Sequence, residues 1–141
     1  MIYFNSFIFT TTIQWKRVLR IKKGLKVQAF DKSLRHVHRH IISVLKTSRR
    51  QPYRLVTESM RFIIDTYPST KFLVRLPNKE LTIKRLSEIK KQDQMVLWIK
   101  GKFRYEHPIS LVKDPAVSRF YNIKLGKPAL VPVNHFMMFF E

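Results

Sequence analysis

Three histidines, His36, His38 and His40, form the one cluster in the sequence with metal-ligand character. On a helix, His36 and His40 would share a face one turn apart, a spacing that a zinc site can use. No acid or third ligand stands beside them, and His38 would point elsewhere. They read as solvated or, given the charge described below, RNA-facing imidazoles, and no metal site is expected. The nine carboxylates are scattered, with no pair at a spacing suited to acid–base work. Only three glycines are present, and no phosphate-binding loop or nucleophile elbow can be built from them. The absence of cysteine excludes disulfides, thiol catalysis and thiolate zinc sites. The expectation is a non-enzyme with no catalytic residues, no cofactor and no small-molecule substrate.

The basic residues carry more information. Lys and Arg number 28 against 9 acids in 141 residues, a formal charge of +19. Self-repulsion of that size works against a compact state unless a polyanion neutralises it, and RNA is the first candidate. Lys22, Lys23 and Lys26 cluster first, then Arg49, Arg50 and Arg54. Lys84, Arg85, Lys90 and Lys91 follow, and Lys100, Lys102 and Arg104 close the series. Among these, Lys22, Lys23, Lys26, Arg49, Arg50, Lys84, Arg85, Lys90, Lys91, Lys100, Lys102 and Arg104 are the expected RNA-binding residues. Trp98, Phe103 and Tyr105 sit among the charges, where they could stack on bases or fill a sheet core.

An anionic membrane surface is the rival sink for the charge. No apolar run reaches the roughly 18 residues that a membrane span needs, so insertion is not expected. Met1 to Trp15 comes nearest, but Asn5, Ser6, Thr10, Thr11, Thr12 and Gln14 interrupt it. No acid precedes Asp31, while six Lys or Arg lie between Lys16 and Lys26, a composition typical of organelle import. With Met1 at the start, an uncleaved extension or synthesis within the organelle is expected, which places the protein in the mitochondrial matrix.

The elements that would position these residues read as strand and helix in alternation. Val18 to Phe30 suits a half-buried strand interrupted near Gly24. Asp31 and Ser33 offer N-cap oxygens, and Leu34, Val37, Ile41, Val44 and Leu45 recur at helical spacing, predicting a helix that ends near Ser48 and Arg49. Phe30, Val37, Ile41, Val44 and Leu45 should then be buried. A second short helix is expected between Pro52 and Pro68, and a short strand at Lys71 to Leu76. Glu80 to Leu86 and Met95 to Tyr105 read as two strands of a basic hairpin. A short helix around Pro115 to Tyr121 and a last strand at Ala129 to Val133 complete the order. That order describes an α+β fold, a ferredoxin-like split β-α-β sandwich with a long basic hairpin and an insertion after the first helix. Its parts would be an extension over 1–17, a domain over 18–133 with the insertion at 49–75 and the hairpin at 80–105, and a tail over 134–141. Both terminal segments are too apolar to be free, and they should dock on neighbours or on the domain.

In these residues the chain resembles the small-subunit ribosomal protein 10 family. Lys26-Val27-Gln28-Ala29-Phe30-Asp31 followed by Leu34 is similar to the end of that family's first strand. Leu81-Thr82-Ile83, Ser87, Asp93 and Trp98 to Arg104 resemble its long hairpin, and Val117 to Val133 its last helix and strand. The chain departs at the hairpin tip, where Ser87-Glu88-Ile89 replaces the common Ser-Pro-His, and at the longer 49–75 segment. The resemblance implies a structural constituent of the ribosomal small subunit that supports translation. Its partners would be small-subunit rRNA and neighbouring proteins of the head. The competing readings are a related fold in the mitochondrial large subunit and a basic accessory subunit of a respiratory-chain complex.

Overall fold

The computed structural model describes residues 1–11 and 14–141; Thr12 and Ile13, within the expected extension, lie outside the described residues. The described chain is built from strands: β1 (Ile2–Tyr3), β2 (Phe7–Thr10), β3 (Gln14–Arg17), β4 (Lys26–Phe30), β5 (His36–His40), β6 (Ser43–Lys46), β7 (Tyr53–Thr57) and β8 (Ile63–Thr66). They continue with β9 (Lys71–Arg75), β10 (Leu81–Arg85), β11 (Gln94–Ile99), β12 (Lys102–Glu106), β13 (Pro108–Lys113), β14 (Phe120–Lys124), β15 (Ala129–Val133) and β16 (Phe136–Phe140). Among the described residues the only helical pieces are single 3₁₀ turns at Val18–Arg20 and Leu86–Glu88. The fold is therefore almost wholly β, and the expected α+β sandwich is incorrect.

The first expected helix is replaced by β5 and β6 for a local reason. Asp31 Oδ1 accepts the N–H groups of Ser33 (2.9 Å) and Arg35 (3.0 Å). Leu34 takes a positive φ of 63°. These features close a hairpin in which Phe30 pairs with His36 and Lys26 with His40. The oxygen that looks like an N-cap thus caps a turn, a role Asp fills equally well. His36-Val37-His38-Arg39-His40 alternates with the period of a strand, and Val37, Ile41 and Val44 are β-branched, which favours sheet. Of the expected stripe, Phe30 and Ile41 are buried, Val37 and Val44 are half-buried and Leu45 is exposed. The second expected helix is the β7–β8 hairpin, with Leu55 opposite Ile64. Pro115 to Tyr121 runs into β14 instead of coiling.

The expected basic hairpin also does not form. β10 and β11 both pair with β9, which lies between them, while β11 turns back into β12. Ile99 pairs with Lys102, leaving Lys100 (φ 49°) and Gly101 (φ 79°) as a two-residue loop. Two positive φ values match the primed turn that suits the twist of paired strands. The run Trp98 to Arg104 is therefore two strands, not one. Asn134 (φ 48°) and His135 (φ 73°) make the same kind of turn between β15 and β16.

The large sheet runs β10-β9-β11-β16-β15-β2-β4-β5, with β12 added beside β11 and β3 beside β2. Two three-stranded sheets, β1-β14-β6 and β13-β7-β8, complete the fold. Side chains alternate across the large sheet. One face sends Ile8, Val27, Ala29, Phe72, Val74, Met95, Leu97, Val131, Phe136 and Met138 into the main core. The other face carries a second cluster of Phe9, Phe30, Leu73, Val96, Trp98, Leu130 and Met137. The terminal segments belong to this packing: Ile2, Ile8, Phe136, Met137 and Met138 are buried.

Candidate functional site where the chain ends meet

Strand pairing brings the two ends of the chain to one place. β1 lies against β14, with Ile2 opposite Tyr121 and Tyr3 opposite Phe120, and this sets Met1 at the edge of the small sheet. β16 lies against β9 through Met138 and Phe72, and this carries Phe139, Phe140 and Glu141 toward Lys71. Between them is an open pocket of about 330 Å³, lined by Met1, Ser69, Thr70, Lys71, Asn122 and Glu141 among others.

Thr70 ties one end down. Its Oγ1 accepts a hydrogen bond from the Met1 amine and donates one to the Met1 carbonyl, both at 3.3 Å. Lys71 ties the other: its Nζ stands 3.5 Å from Glu141 Oε1. The Glu141 carbonyl also accepts the Leu125 N–H at 3.2 Å. Burial lowers the pKa of the Met1 amine from 8.0 to about 6, because the protonated form is cut off from water. The pocket offers the hydroxyls of Ser43, Ser69 and Thr70, the amide of Asn122, the amines of Lys71 and Lys124 and the carboxylate of Glu141. Among the described residues no imidazole lines it, and the sequence has no thiol. Of the lining hydroxyls, that of Thr70 has a basic partner, the Met1 amine, which within a longer polypeptide would be an amide and no base.

Two buried carboxylates near other loops are structural. Glu106 accepts hydrogen bonds from Thr57 Oγ1 (2.7 Å), Ser59 Oγ (2.6 Å) and Ser59 N–H (3.2 Å), and it pairs with Arg104 Nε at 2.9 Å. Burial opposes its charge, yet these donors prevail and hold its pKa below the ordinary value. Asp93 follows the same pattern: burial opposes its charge, and Lys84 Nζ and the Lys90 N–H, each at 2.8 Å, outweigh that effect.

The basic residues expected to bind RNA are distributed over several strands and links, not gathered on one element. Lys22 and Lys23 are exposed in the turn before β4, and Lys26 is exposed at its start. Arg49 and Arg50 lie on the link from β6 to β7, Arg50 over the ring of Tyr67. Lys84 is half-buried against Asp93, and Arg104 is paired with Glu106. Arg85 is exposed at the end of β10, Lys90 and Lys91 side by side in the link to β11, Lys102 at the start of β12 and Lys100 in the β11–β12 turn. His36, His38 and His40 share one face of β5, where a helix would have split them. Among the described residues no group of three or more metal-ligating side chains converges. Charge reasoning has no means of finding the pocket at the ends; its one trace in the sequence is the hydroxyl-bearing run Thr66-Tyr67-Pro68-Ser69-Thr70.

No protein-family model and no curated protein matches the sequence. Solved structures do match the fold. A DnaB intein from Synechocystis sp. PCC 6803 superposes with a TM-score of 0.83 at 18% identity, over 99% of this chain and 97% of that one. The PabCDC21-1 intein gives a TM-score of 0.82 at 9% identity, over 99% and 98%. A bacterial intein-like domain from Clostridium thermocellum gives 0.74 at 16% identity, over 100% and 99%. The class defined is an intein-like β fold. It is not the fold expected from the ribosomal protein 10 resemblance, and the readings as a ribosomal or respiratory subunit with rRNA and ribosomal neighbours as partners are corrected accordingly. The resemblance fails because its hairpin match rests on residue order across β10 to β12, which the structure pairs differently.

Proposed function

We propose that this chain is an intein-like domain that holds its two ends together without cutting at either. The observation that carries the reading is the meeting of Met1 and Glu141 in one pocket, on a fold similar to those of inteins. Inteins are embedded in host proteins, and ends placed side by side suit a domain from which flanking polypeptide would leave at one point. The side chains favour holding over cutting. At the junction before Met1 in a fusion of this chain, shifting an acyl group from the amide nitrogen to a side chain would require a hydroxyl or thiol, and the Met1 side chain has neither. Release at the other end by side-chain cyclisation is favoured by an amide nitrogen, whereas Glu141 presents a carboxylate that Lys71 already engages. The test is to express the chain between two unrelated reporter domains and measure intact masses. The expected result is a single unprocessed fusion. Joined reporters with the domain excised, or a reporter released at Met1 or Glu141, would overturn the reading.

A further inference from the structure

We infer that the open cleft on the second face of the large sheet is a binding site for single-stranded nucleic acid. That face is aromatic at its centre and basic around it. An open cleft of about 750 Å³ is lined there by Phe9, Trp15, Phe62 and Trp98, with Gln28, Lys100 and His135 supplying polar groups. The rings form one assembly: Phe9 lies 4.6 Å from Trp98 and 5.0 Å from Trp15, and Trp15 lies 4.8 Å from His135.

Register fixes what surrounds the cleft. Gln28 pairs with His38, Lys26 with His40 and Phe30 with His36, so all six side chains stand on the cleft side of the sheet. Phe7 pairs with Arg17 and Phe9 with Trp15, which adds Arg17 to the same side. Arg75 also faces this way, with its guanidinium 4.4 Å from the Tyr105 ring centroid. By the same alternation, no strand residue on this side carries a carboxylate among the described residues. Asp65 belongs to a small sheet, and Glu106 pairs with Met95 on the core side. On a chain of charge +19, an aromatic face whose strands are free of carboxylates calls for an occupant with flat rings and negative charge. Single-stranded nucleic acid has both: bases to stack on the half-buried rings of Trp15 and Phe62, with buried Trp98 as the floor of the cleft, and phosphates for Lys26, Lys100 and Arg17. A duplex hides its base faces and fits such a cleft poorly.

The protein supplies its own probe, because Trp15 and Trp98 are its only tryptophans and both line the cleft. Oligothymidylate of about twelve nucleotides, within the span that single-strand platforms cover, should quench their fluorescence saturably. The blunt duplex of the same length should bind more weakly. Lys26→Gln with Lys100→Gln should flatten the plot of log affinity against log salt by about 1.4, roughly 0.7 for each phosphate that the variant no longer neutralises. Trp15→Ala should weaken binding by roughly 5- to 150-fold, the worth of one stacked base. Should Trp15→Ala fail to fold, the exposed lysine pair carries the test. Absence of quenching, duplex binding as tight as single-strand binding, or an unchanged salt slope in the lysine variant would overturn the inference. These outcomes leave the processing of a flanked fusion untouched, so this surface and the reading of the chain ends fail or stand separately.

Discussion

Glu106 shows how much a single side chain organises here. One carboxylate oxygen gathers Thr57 and Ser59, and Arg104 closes on the other. Glu106→Gln keeps the shape but loses the charge, and should cost about 1.5–3 kcal/mol, the usual worth of a charge-assisted hydrogen bond. The pH dependence has a definite sign. The native pKa lies below the unfolded value of about 4.3, so the stabilisation is complete above that value and is lost as pH falls through the native one. Urea titrations of both proteins across the acid range check this: the variant should lack the Glu106 part of the acid loss. Met1 acts in the opposite sense. In the chain that starts at Met1, the unfolded amine holds its proton up to about pH 8 and the native amine only to about 6. Stability should therefore rise between these values, by an amount on the order of 2–3 kcal/mol, and be insensitive to this group on either side. The N-acetylated chain should lack that rise; an equal rise in both would show that the amine is not buried.

At the scale of elements, turns decide the fold more than propensity does. Lys71–Arg75, Leu81–Arg85 and Ala129–Val133 are legible as strands because they are short, β-rich and bounded by turn residues. The segment from Leu34 to Leu45 misleads because its apolar residues satisfy both periods, and Asp31 can serve an N-cap or a hairpin turn. Lys100-Gly101 is legible as a turn from its glycine alone, but the resemblance draws it into one long strand. Of the pocket at the ends only the hydroxyl-bearing run Thr66 to Thr70 leaves a trace, since strands remote in sequence assemble it; Trp98 and the basic residues around it are visible, but not the cleft that some of them share. A far-UV circular dichroism spectrum of sheet type, without the helical double minimum, should confirm the architecture. Gly101→Ala, at φ 79°, should destabilise by about 1 kcal/mol because a Cβ is strained there. Ile41 is fully buried at the corner after β5, its N–H bonded to the Leu25 carbonyl and its carbonyl to the Gly24 N–H. Ile41→Ala should cost about 2–5 kcal/mol in thermal or urea unfolding.

At the scale of the molecule, the defining feature is how far apart in sequence the paired segments lie. Asn134 Oδ1 accepts the Phe7 N–H at 2.9 Å, and Ile2 pairs with Tyr121. The large sheet cannot be completed until both ends are in place, so folding should be slow, on the order of milliseconds to seconds as for other sheet proteins of high contact order. Stopped-flow refolding measures that directly. The same topology sets Met1 and Glu141 in one pocket, which is the basis of the proposed function. Zero-length carbodiimide cross-linking of the reporter-flanked chain, read by peptide mass spectrometry, tests the arrangement most directly. Lys71 and Glu141, 3.5 Å apart, should be joined by an isopeptide bond in the native fusion and not in the denatured one. Glu141 joined instead to lysines far from β9, or left unlinked under native conditions, would contradict the meeting of the ends.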